Sequence, residues 1–133
     1  MRQGRIRSAV TSCAIGAAAM LAMLTAAPRP AIAATSHVKG EVISIMCYEG
    51  HGKEGTGKAH LSCATSCAKK GYALGILTTE GTVYQIAGPL TADNSAKLQP
   101  FLSTSVTATG DVTEKDGKKT IAIANLSDIA AAK

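Results

Sequence analysis

The chain has no tryptophan, one phenylalanine and three tyrosines. Platforms on which nucleic-acid bases could stack are therefore almost absent, and a core has to be assembled from Val, Ile, Leu and Ala. There is no Cys-x-x-Cys pair, which excludes a thioredoxin-type redox centre, and no Cys-x-x-Cys-His, which excludes covalent haem attachment. No serine sits in a nucleophile elbow. Asp111, Glu114 and Asp116 crowd a predicted hairpin turn, Asp93 and Asp128 read as caps, and His37 reads as an exposed residue, so no paired-carboxylate or triad chemistry stands out. No internal repeat or low-complexity tract is present.

Arginine is missing from most of the chain. All four arginines (Arg2, Arg5, Arg7 and Arg29) fall near the start, where they flank Ala9 to Ala27, an uncharged and largely apolar run. Pro28-Arg29-Pro30 breaks that run, and Ala31-Ile32-Ala33 supplies small residues where a signal peptidase reads them. We expect residues 1–33 to be a signal peptide cut after Ala33, which places the mature chain in the periplasm or outside the cell. No two arginines are adjacent, which favours the general secretory route. Cys13 precedes most of the apolar run and is badly placed for a lipid anchor. The competing reading is an uncleaved anchor, since the run approaches the length of a membrane helix; once the leader is cut, no membrane attachment is expected.

Without that leader, ten lysines face nine acidic residues and the net charge is near +1. The basic character of the whole chain belongs to the export signal, and no nucleic-acid partner is expected. Residues 34–133 suit one small domain. Three cysteines remain, Cys47, Cys63 and Cys67. A pure disulfide framework in an oxidising compartment prefers an even number, so three imply a leftover thiol or a metal site.

Residues 37–48 are rich in β-branched side chains and predict a long first strand, with Gly40 marking a bulge or bend. Residues 49–57 carry four glycines and no apolar residue, and predict a mobile or ligand-ordered loop. Residues 58–70 predict a helix capped at C′ by Gly71. Residues 72–79 and 82–87 predict two strands across a Glu80-Gly81 turn. A short helix is expected within residues 91–101, a final hairpin from residues 105–113 and 119–125, and a tail in which Leu126 and Ile129 pack back. The fold class that follows is mainly β (α+β): a small five-stranded OB-like Greek-key barrel with an inserted Cys/His-bearing helix after the first strand, the whole insertion covering residues 48–71. An open antiparallel sheet with a helix on one face is the alternative.

On the predicted helix, His60, Cys63 and Cys67 stand at i, i+3 and i+7, within an arc of about 60°. Cys47 and His51 can fold over that stripe. Thiolate and imidazole together suit Zn(II) or Cu(I), and four such ligands close a tetrahedron. The candidate metal ligands are Cys47, His51, His60, Cys63 and Cys67, with Cys47 the natural fourth ligand and His51 its rival or a neighbouring partner. The competing structure is a Cys47–Cys63 or Cys47–Cys67 disulfide, worth about 3 kcal/mol for a loop of this size; it would suit a stapled module that binds another envelope protein. A thiol redox protein is the third reading. The run Gly52-Lys53-Glu54-Gly55-Thr56-Gly57-Lys58 nearly matches a phosphate-binding loop, but Ala59 stands where a magnesium-binding hydroxyl is required.

The order Gly40-Glu41-Val42, Cys47, Gly50-His51, His60, Cys63, Cys67 and then Gly71 through Tyr84 resembles a group of small exported bacterial proteins of uncharacterised function. The shared pattern is Cys, Gly-His, a glycine-rich loop and His-x-x-Cys-x-x-x-Cys. Tyr72-Ala73 departs from it, where a proline is expected before Leu74. The resemblance implies an OB-like barrel with a Cys/His site and assigns no reaction. A metal-binding protein with a structural or metal-handling role is the function expected, more readily than an enzyme; the oligomeric state is left open.

Overall fold

Alternating β-branched residues need a partner strand on each side, and a small chain satisfies that need for all its strands only by closing the sheet on itself. The computed structural model describes residues 33–133, so the expected signal peptide, apart from its last residue, lies outside the described residues. Among the described residues there are six strands: β1 (Ala34–Ser44), β2 (Leu74–Leu77), β3 (Val83–Ala87), β4 (Ser105–Lys115), β5 (Lys118–Ala122) and β6 (Ile129–Ala131). The sheet runs β1-β2-β3-β5-β4 and returns to β1, with every neighbour antiparallel except the parallel β3–β5 pair. This is the expected OB-like barrel of five strands with one strand added.

Closure depends on β1 serving both ends of the sheet. Its first part, Ala34 to Glu41, pairs with β4, and its last part, Glu41 to Ser44, pairs with β2. Gly40 stands at the changeover, where a Cβ would overlap the carbonyl of Leu77. The expected bend is therefore a close approach between two backbones, which only glycine permits.

β4 has eleven residues and β5 only five, so β5 covers just the Asp111 to Lys115 end of one β4 edge. The tail supplies the rest as β6, paired with Val106 to Ala108. The tail was expected only to pack back. Ile129 is buried as foreseen, whereas Leu126 stays exposed.

Inside the barrel, Val42, Ile76, Val106, Ile121 and Ile123 are fully buried. Leu90, Leu98 and Leu102, from the link between β3 and β4, are buried with them. That link is less regular than the short helix expected. It holds two 3₁₀ turns, Pro89–Thr91 and Gln99–Phe101, and between them α3 (Ala92–Ser95), with positive φ at Asp93, Asn94 and Ser95.

The first strand also ends earlier than expected. β1 stops at Ser44, and Ile45–His51 forms a helix, α1. The last β1–β2 pair is Ser44 with Leu74, and the Ile45 amide is taken by the Ala73 carbonyl. Past that point no strand is left to pair with, so β propensity gives way to local hydrogen bonding. The predicted loop is likewise ordered, with a 3₁₀ turn over Gly52–Gly55. A second 3₁₀ turn, Lys58–His60, leads into α2 (Leu61–Lys69), so the expected helix is real but begins tighter. Gly71 caps it at φ 86°: the Gly71 amide bonds the Ala68 carbonyl, and the Tyr72 amide bonds that of Cys67.

Gly40→Ala should lower stability by about 1–3 kcal/mol through the forced clash with Leu77. Gly50→Ala, where nothing lies within 4 Å of the new methyl group, should be neutral or slightly stabilising. Urea unfolding of both variants beside the parent checks the pair; equal midpoints would refute the backbone-contact explanation.

Candidate metal centre

The insertion between β1 and β2 is too short to be stable as isolated helices, so contact with the barrel has to hold it. Ala64 and Ala68, one turn apart on α2, are 3% and 0% exposed and belong to the same buried cluster as the barrel interior. Only a methyl group stands between helix backbone and core at these two points, so α2 lies close. The stripe beginning one residue earlier, Cys63 and Cys67, is turned by about 100° from the alanines and meets α1.

There it meets Cys47, which is 3% exposed. The Cys47 sulfur lies 3.6 Å from that of Cys63 and 3.5 Å from that of Cys67. Cys47, His60 and Cys63 each offer a ligand atom, and the three atoms lie within 4.8 Å of one another. The Nε2 atom of His60 is buried and has no hydrogen-bond partner. A buried polar atom left unsatisfied costs about 1–3 kcal/mol, and a cation bound between the sulfurs and the imidazole removes the need for a partner at such a site.

The other two candidates stand around this triad. Cys67 is half-buried and reaches Cys47 but does not join the three-atom cluster. His51 is exposed, with its ring centroid 5.4 Å from that of His60 and tilted by 52°. Cys63 is exposed, so the centre has a buried end at Cys47 and an open end at Cys63. Cys47, Cys63 and Cys67 are free thiols, and the alternative disulfide staple is not formed among them. Cys47 arrives from α1, not from the end of a strand as the sequence suggested.

Two contacts hold the intervening loop. Gly55 is packed so tightly on the backbone of Cys47 that a side chain there would overlap the Cys47 carbonyl. The Glu41 carboxylate, on β1, accepts the Gly57 amide at 2.6 Å, and the Gly57 carbonyl accepts the His60 amide at 3.0 Å. A barrel residue thus holds the turn that carries the imidazole. Glu41 was missed as a site residue; its only signal was an acidic side chain in a strand otherwise suited to burial. The same bond disposes of the phosphate-loop reading, because an amide of that loop is already engaged by a carboxylate. At the far end of α2, Asn94 Nδ2 donates to the Lys69 carbonyl at 2.9 Å and ties the helix to α3.

Comparison with family models, curated proteins and solved structures gives no match to this chain. The chemistry of the centre has to be argued from its own residues.

Glu41→Ala should speed hydrogen exchange at the Gly57 amide by about 10-fold or more, the equivalent of losing a hydrogen bond to a charged group. Glu41→Gln keeps an acceptor and should restore much of the protection. Exchange read by NMR or mass spectrometry checks this, and unchanged protection in Glu41→Ala would remove Glu41 from the support of His60.

Proposed function

We propose that this is an exported metal-handling protein whose centre is built on Cys47, His60 and Cys63, with Cys67 completing the shell and His51 at its rim. One observation carries the reading: three soft donor atoms lie within 4.8 Å of one another while the imidazole among them has a buried nitrogen without a partner. Two thiolates and an imidazole are the donors of zinc sites and of soft-metal sites generally.

The sulfur spacing fits a tetrahedral ion such as Zn(II). Zinc–sulfur bonds of about 2.3 Å at tetrahedral angles separate two sulfurs by about 3.8 Å. The pairs Cys47–Cys63 and Cys47–Cys67, at 3.6 and 3.5 Å, need to open by only a few tenths of an ångström to become edges of that tetrahedron. Cu(I), which also prefers such ligands, is the competing cargo. A shell closed by Cys67 leaves no position for an activated water, which argues for holding or carrying the ion over hydrolysis. Export is part of the proposal and rests on the amino-terminal charge and hydropathy pattern; the placement among small exported bacterial proteins rests on the order of residues from Gly40 to Tyr84.

Protein prepared under reducing conditions should bind about one Zn(II) or Co(II) per chain, with thiolate-to-cobalt charge-transfer absorption in the cobalt form. Cys47→Ser and His60→Ala should weaken binding by at least about 10-fold. Removing the metal with a chelator should lower the melting temperature, since an ion that binds only the folded chain stabilises it. Absence of binding at micromolar metal, with the fold intact by circular dichroism, would refute the reading.

A further inference from the structure

Cys47 is the only sulfur in contact with both of the others among the described residues, and it is also the most deeply buried donor of the centre. The metal shell proposed above uses both contacts as edges, and the same two contacts make Cys47 a hub with two possible covalent partners. We propose that the metal site is gated by thiol oxidation through Cys47: a disulfide from Cys47 to Cys63 or Cys67 and a bound metal ion are mutually exclusive states of the same sulfurs. The proposal rests on the metal-binding reading above and names the regulation of that site.

The chemistry follows from where each sulfur lies. Cys63 is exposed, so a disulfide-bearing oxidant, R–S–S–R, meets it first. The Cys63 thiolate attacks one sulfur of the oxidant and the first R-thiolate leaves, which gives a mixed disulfide on Cys63. The Cys47 sulfur, 3.6 Å away, then attacks the Cys63 sulfur and the second R-thiolate leaves. Two protein thiolates have become one disulfide, and the two electrons reside on the two R-thiolates. A divalent ion that was held by those thiolates leaves with its charge balanced by the departing pair. Cys67, 3.5 Å from Cys47, can next attack the Cys47 sulfur, moving the bond to the less exposed Cys47–Cys67 pair and returning Cys63 as a thiol.

The remaining pairing is disfavoured by the helix itself. Cys63 and Cys67 are four residues apart on α2, where Cβ atoms stand about 5–6 Å apart, beyond the about 3.5–4.5 Å that a disulfide spans. Every intramolecular bond should therefore contain Cys47.

The test is to titrate the zinc-loaded protein with oxidised glutathione while following zinc with a chromogenic chelator and thiols by mass spectrometry. Loss of two thiols per chain should coincide with release of about one zinc, and peptide mapping should place Cys47 in every internal disulfide. Cys67→Ser, tested for thiol oxidation alone, should still form the Cys47–Cys63 bond. Cys47→Ser, tested for thiol oxidation alone, should yield mixed disulfides and no internal bond. Zinc retained after two thiols are lost, thiols that resist oxidation, or a Cys63–Cys67 bond would each overturn the gate while leaving the metal reading standing. Failure to load zinc at the outset would instead overturn the metal reading, and the gate with it.

Discussion

The seating of α2 on the barrel through Ala64 and Ala68 is the contact on which the centre depends. A larger side chain at either position would lift the helix from the core, and Cys63 and Cys67 would rise with it, away from a Cys47 held independently by α1. The alanines add little hydrophobic area themselves. Their contribution is distance: they let helix backbone approach the barrel closely enough for sulfurs from two helices to lie 3.5 to 3.6 Å apart. Each helix is short, so neither would keep its geometry without the barrel behind it.

The barrel contributes more than a floor. β1 begins by pairing with β4, crosses at Gly40, and ends by pairing with β2, and the residue just after the crossover is Glu41. From there its carboxylate reaches the Gly57 amide, and through Gly57 the backbone of His60. The feature that closes the fold is thus one residue from the feature that positions the imidazole. The barrel core is small and purely aliphatic apart from partly buried Tyr84 and Phe101 at its edge. A domain of this size has little stability to spare, so binding an ion that ties α1 to α2 would act on the part of the fold least supported by core packing.

Much of this could be read from the residues, and the departures share a cause. The five barrel strands, the Cys/His helix and its Gly71 cap each rest on local signals: β-branched alternation, an alanine-rich window, a glycine placed after two lysines. The placing of Cys63 and Cys67 one turn apart on α2 follows from helical periodicity, whereas His60 stands on the 3₁₀ turn that precedes the helix. What could not be read is whatever depends on where a partner runs out. Residues 45–48 look like strand by propensity, yet β2 offers no pairing beyond Leu74, so they turn into α1 and Cys47 arrives on a helix. The tail becomes β6 because β5 is shorter than β4, a mismatch seen only after pairing. Residues 49–57 look like a free loop because neither the Glu41 bond nor the packing of Gly55 on Cys47 leaves a trace in hydropathy.

If the centre binds an ion as proposed, the distribution of burial over its three sulfurs suits handling that ion better than bracing a fold. A bracing site gains from enclosing all its ligands, since exposure invites exchange and oxidation. Here Cys47 is enclosed, Cys67 is half-buried and Cys63 faces solvent. An ion bound at such a centre is anchored at its inner end and reachable at its outer end, where an incoming thiol can replace Cys63 before Cys47 lets go. Under the proposed reading, the incoming thiol takes the place that Cys63 leaves while Cys47 and Cys67 keep hold of the ion. Three thiols, an awkward number for disulfides, suit that proposed exchange.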